Sequence, residues 1–138
     1  MSPKLNELLV RRYVEDVWNA GNLELVDELL DPNHIRHDPI LSDDVIGTES
    51  IKAQIKSLRT GLPDLNFDVK IYPAADGIHV TRQWILTGTH QGKWMGIKPT
   101  GNHITNTGMA ISRIANGTIA EEWIQRDEIG LRKQIGQA

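Results

Sequence analysis

Apolar residues in the first part of the chain recur every three or four positions. Leu5, Leu8, Leu9, Tyr13, Val14, Val17 and Trp18 fall on one face of a helix, which predicts an amphipathic helix over residues 4–19. Ser2-Pro3 suits its start, Ser as cap and Pro in the first turn. Gly21 suits a left-handed end. Leu25, Val26, Leu29 and Leu30 predict a short second helix, stopped by Asp31-Pro32. Residues 33–44 read as a short strand or extended loop. A third helix over residues 48–60 carries Ile51, Ile55 and Leu58 as its stripe, with Thr48 as its candidate cap.

From Leu65 the period drops from about 3.6 to 2. Strands are predicted over residues 65–72, 78–88, 103–114 and 119–127, followed by a short terminal helix. Asn116-Gly117 tolerates the positive φ of a tight hairpin turn and joins the last two strands. Helices first and an antiparallel meander last define an α+β domain, with three N-terminal helices packed on one face of a curved sheet. A cone of that kind, if side chains leave it unfilled, encloses a pocket.

The last strand carries the densest chemistry. Strand side chains alternate, so Glu121, Trp123, Gln125 and Asp127 share one face, and Glu122, Ile124 and Arg126 the other. Trp, Gln and Asp together suggest a pocket lining, and Trp123 and Gln125 are candidate substrate contacts. Asp127 has two compatible readings, a pocket acid/base and the N-cap of the terminal helix. On the strand over 78–88, Trp84 shares a face with Val80, Arg82 and Leu86. Thr81, Gln83, Ile85 and Thr87 form the other, and pattern alone leaves open which lines the pocket. His34 and His37 are further candidates on the segment after the second helix, and His90 and His103 flank a Gly-rich loop containing Trp94 and Met95.

Composition narrows the classes. The 138 residues carry a formal charge of -3 and no basic tract, which argues against nucleic acid as a partner. They are expected to form a single domain, 1–138. No apolar run has the length of a membrane span, and no signal-peptide core opens the chain, so a cytoplasmic location is expected. Cys is absent, which removes thiolate chemistry and Cys-based zinc sites. The five His show no ligand spacing, so no metal is expected.

Several strings, in order along nearly the whole chain, carry a resemblance. They are Val17-Trp18-Asn19-Ala20-Gly21-Asn22-Leu23, His37-Asp38-Pro39, Gly61-Leu62-Pro63-Asp64-Leu65, Thr87-Gly88-Thr89-His90-Gln91-Gly92, Gly96-Ile97-Lys98-Pro99-Thr100-Gly101, and Glu121-Glu122-Trp123 followed by Asp127. The set resembles the SnoaL-like polyketide cyclases and ester cyclases of the NTF2-like superfamily. The resemblance implies an NTF2-like cone and a homodimer formed through the outer sheet face. It also implies an intramolecular aldol closure of a polyketide-like molecule, with no metal or organic cofactor. A pocket carboxylate would act as general acid/base, at the position of Asp127, with His37 or His34 beside it.

Such a reaction needs a base for a carbon-bound proton, an acid for the new alkoxide and donors for the enolate oxygen. An enzyme of this kind would be a lyase or isomerase. The same pocket also suits a related isomerase or hydrolase, or a carrier of a small hydrophobic ligand without chemistry. With one Phe and two Tyr, the chain is poor in the aromatic residues a planar tetracyclic substrate would favour.

Overall fold

The computed structural model describes residues 2–136. Helix α1 spans Pro3–Arg12, and Ser2 Oγ accepts the Leu5 N–H at its start. The helix continues as a π-helical stretch over Tyr13–Asn19, where the Ala20 N–H reaches back five residues to the Glu15 carbonyl. A π turn holds an extra residue. Here the widened stretch buries Tyr13, Val14, Val17 and Trp18 together. The predicted second helix is a 3₁₀ turn, Leu23–Leu25, running into the single-turn α2, Val26–Leu29. Helix α3 spans Thr48–Gly61 and buries Ile51 and Ile55. Its N-cap is Gly47 rather than the expected Thr48, and no side chain caps it.

The strands are β1 (Leu30–His37), β2 (Val45–Ile46), β3 (Asn66–Pro73), β4 (His79–Thr89), β5 (His103–Ala115) and β6 (Thr118–Arg126). They form one sheet in the order β2-β1-β6-β5-β4-β3. The meander β3-β4-β5-β6 is antiparallel, as the alternation predicts. Asn116 and Gly117 both hold positive φ in its last turn. β1 then adds to β6 in parallel, and the two-residue β2, which no periodicity reveals, closes the far edge.

The helices cover one face. Their apolar stripes and the inward residues of the sheet make two buried clusters, one around Val10, Tyr13, Ile51 and Ile119, the other around Leu62, Ile104, Ile124 and Leu131. Asn19 ties the π-helical end to the sheet, accepting the Phe67 N–H (2.7 Å) and donating to the Phe67 carbonyl (3.1 Å). Arg59 donates to the Trp18 and Asn19 carbonyls that end the helix. Trp84 lies over Gly108, its neighbour on β5, where any Cβ would collide with the indole. Helix α4, Glu128–Gln134, closes the chain's described part. No described helix is long and apolar enough to cross a membrane.

Candidate active site

The inner sheet face is covered by helices, yet it carries charge. On β6, alternation buries Glu122 and Ile124 and exposes Trp123 and Gln125. On β4 the inward face is Val80, Arg82, Trp84 and Leu86. On β1, His34 and Arg36 point inward together.

These residues meet at Glu122, which is fully buried. Arg82 Nη1 donates to Glu122 Oε2 at 2.6 Å and to Ser112 Oγ at 3.0 Å. The Ser112 hydroxyl, directly opposite on β5, donates to the same Oε2 at 2.9 Å. His34 Nε2 lies 3.1 Å from Oε1, and Arg36 Nη1 stands 4.0 Å away. Burial alone would raise the Glu122 carboxyl. The charges of Arg82 and Arg36 and the hydrogen bond from His34 outweigh it and hold the group well below the usual carboxylate range. An ionised Glu122 can only accept, so Nε2 of His34 carries the proton, and its Nδ1 has no partner among the described residues. A second buried pair lies alongside, where Arg126 Nε and Nη2 each donate to Asp38 Oδ2 at 3.1 Å.

In front of this layer is a cavity of about 320 Å³. Its wall is mostly apolar, with Trp18, Phe67, Trp84, Trp94, Leu58 and Leu131 among its members. Arg36, Arg82 and Arg126 also reach it, with Gln54, Ser57 and Asn106. The carboxylates and His34 stand behind the arginines and do not line it. Size and lining are those of a small-molecule site.

The expected site residues divide by face. Trp84 lines the cavity, and His34 lies directly behind its wall. His90 is buried, accepts the Thr100 N–H at Nδ1 (3.3 Å) and packs edge-on against Trp94 of the wall. The expectation for the last strand is corrected: the inward face is that of Glu122, not that of Trp123. Trp123 and Gln125 are exposed on the opposite side, Trp123 to 38 %. Asp127 is exposed too. It caps α4, its Oδ1 accepting the Gly130 N–H at 2.9 Å, and with Gln125 it borders a more open depression on the outer face.

His37 also points outward. Its Nε2 lies 2.6 Å from Glu121 Oε2, its Nδ1 3.0 Å from Asp44 Oδ1, and its ring stacks on Trp123. The bond to Glu121 raises the His37 imidazole above its ordinary value. His103 is exposed at the start of β5. Glu122 and Arg36 are residues that alternation does not single out, and Arg82 lies on a face that alternation leaves open. On β6 both faces carry an aliphatic residue, Ile119 in step with Trp123 and Ile124 in step with Glu122, so pattern alone does not choose the inward one. Among the described residues, no three His, Asp or Glu side chains gather to hold a metal.

A curved mixed sheet under helices, enclosing an apolar cavity floored by buried charge, is the NTF2-like cone. The model of the SnoaL-like polyketide cyclase family matches residues 8–135, and the chain belongs to that family. It is 28 % identical over 142 residues to the aklanonic acid methyl ester cyclase DauD of Streptomyces sp. (strain C5), covering 99 % of this chain and 84 % of that protein. It is 28 % identical over 134 residues to the cyclase DnrD of Streptomyces peucetius, covering 94 % of this chain and 89 % of the relative. Among solved structures, TsrD of Streptomyces laurentii shares the fold with a TM-score of 0.86 at 21 % identity, over 100 % of this chain and 99 % of that one.

Proposed function

We propose that the protein closes a ring in a polyketide-like small molecule by an intramolecular aldol-type reaction, using its own side chains as acid and base. The observation that carries this is the Glu122–His34–Arg82 cluster beneath an apolar cavity, in a chain of a cyclase family. Glu122 is held ionised and is a weak base; it orients His34. His34, directly behind the arginine wall with Nε2–H bound to Glu122 and Nδ1 unpartnered, takes the carbon-bound proton at Nδ1 when the wall side chains part for the substrate. The enolate that forms faces the guanidinium wall, which stabilises the developing charge. Its carbon attacks the second carbonyl of the same molecule. The alkoxide so made takes the proton back from the imidazolium, so base and acid are one group used twice. The two cyclase relatives are named for a methyl ester, so a keto ester and its free acid are the substrates to try first.

The test is ring closure of a poly-β-keto aromatic ester and of its free acid, each followed by absorbance and chromatography. The wild type should accelerate closure, and Glu122→Gln and His34→Gln should each lose about 10²-fold or more. No acceleration by wild type over buffer would sink the reading.

A second reading, a carrier that binds without reacting, is favoured by one feature: no carboxylate or imidazole lies on the cavity wall itself. The assembly we favour is a homodimer through the outer sheet face. There Ile85, Met109, Ile111 and Trp123 are all more than a third exposed, side by side on three adjacent strands.

A further inference from the structure

Arg36 differs from the other two arginines of the cavity. Arg82 is bonded to Glu122 and Ser112, and Arg126 to Asp38. Arg36 is more than nine-tenths buried, yet its Nε and Nη1 have no hydrogen-bond partner among the described residues. Its nearest carboxylate, Glu122, stands at 4.0 Å and already accepts from Arg82, Ser112 and His34. What Arg36 does have is a ring: its guanidinium lies 5.3 Å from the centre of the Trp18 indole. Gln54 Oε1, across the same cavity, is also buried and unpartnered, whereas the Trp18 indole N–H faces the buried Tyr13 hydroxyl.

Burying a guanidinium without hydrogen bonds is costly. Such a group on the wall of a cavity calls for a function, and a bound anion would supply the missing acceptors. Arg82 and Arg126 each have a carboxylate of their own, Glu122 and Asp38, so the positive charge left over on the wall is that of Arg36. A guanidinium offers two parallel N–H groups to a carboxylate, which neutral esters and ketones cannot match.

We propose that the cavity receives an anionic ligand, a ring-bearing carboxylic acid whose carboxylate is taken by Arg36, the guanidinium being held over the face of the Trp18 indole. The rings of the ligand lie along Trp84, Phe67 and Leu58. This rests on the cavity being the binding site, as in the ring-closure reading, but does not require that any ring be closed. It separates this chain from relatives named for a methyl ester.

The experiment is calorimetric titration of the full chain with 1-hydroxy-2-naphthoate and with its methyl ester at pH 7.5. The wild type should bind the acid at least tenfold more tightly than the ester. Arg36→Met should abolish that preference by weakening the acid tenfold or more, with the ester changed less than twofold. Arg36→Lys keeps the charge and loses the two parallel N–H groups, so it should weaken the acid several-fold and change the ester less than twofold; this variant decides the matter if Arg36→Met does not fold. Equal binding of acid and ester by wild type, no binding of either, or an acid preference that survives in Arg36→Met would each overturn the proposal. An intact acid preference in a protein that closes no ring overturns the cyclase reading alone.

Discussion

Arg82 and Glu122 sit two strands apart and meet at 2.6 Å over Ser112 of the strand between them. Both are buried, and each neutralises the other at the inner sheet face. Removing one partner leaves a lone buried charge, which costs about 3–5 kcal/mol. Arg82→Met should therefore lower the urea midpoint sharply. Exchanging both residues, as Arg82→Met with Glu122→Leu, should recover much of the loss. A double variant no more stable than the single one would show that the pair is not the source of the effect.

Glu122 also sets an acid limit. Its folded-state pKa is depressed, so its contribution is fully present above the unfolded value of about 4.3 and fades as pH falls below it. Thermal unfolding followed from pH 6 to pH 3 should show a steep fall in wild type. The slope should flatten in Glu122→Gln.

The opposite sign holds on the outer face. The His37 pKa is raised by Glu121 and Asp44, so this contribution is complete below the unfolded value of about 6.5. It is lost as pH rises through the raised folded value. His37→Asn should remove the part of the stability change that wild type shows between pH 6 and pH 9. Ring closure should be spared, since His37 lies on the far side of the sheet from the cavity.

Asp127 supplies a sharper contrast. As an N-cap, it should lose about 1 kcal/mol on Asp127→Ala and almost nothing on Asp127→Asn, since Asn caps as well. Neither variant should slow ring closure by more than twofold. A large loss of activity in Asp127→Asn, with stability intact, would return this residue to the chemistry.

Those two residues also show what could be read without coordinates. The alternation along β6 sorted its side chains correctly into two faces, and the turn at Asn116-Gly117 and the caps at Ser2 and Asp127 are local chemistry that sequence expresses directly. Which face looks inward depends on where the helices pack, a relation between residues 80 or more apart. The Trp123 face looked like a lining because it joins an aromatic to polar groups, while a buried Glu122 is acceptable only beside His34 and Arg82. Periodicity cannot show that pairing. The π-helical stretch escaped for a similar reason, since a 3.6 spacing and a locally wider one place nearly the same residues inward over two turns.

The outer face makes the prediction about assembly. Ile111→Lys or Trp123→Glu places charge in the patch shared by Ile85 and Met109. Sedimentation should show a dimer for wild type and a monomer for either variant, with the cavity's ligand still bound. A wild type that sediments as a monomer at all concentrations tested would rule out the dimer.

The widened turn of the first helix has a consequence for length variation. Between Tyr13 and Asn19 the chain carries one residue more per turn than an α-helix would. Deleting a single residue there would let the stretch tighten to an α-helix while the turns before and after it stay nearly in phase. Only the residues inside the stretch, Trp18 of the wall among them, would shift. The segment can thus lose a residue without turning the rest of the helix away from the sheet, and a change of length there is felt locally, at the wall of the chamber.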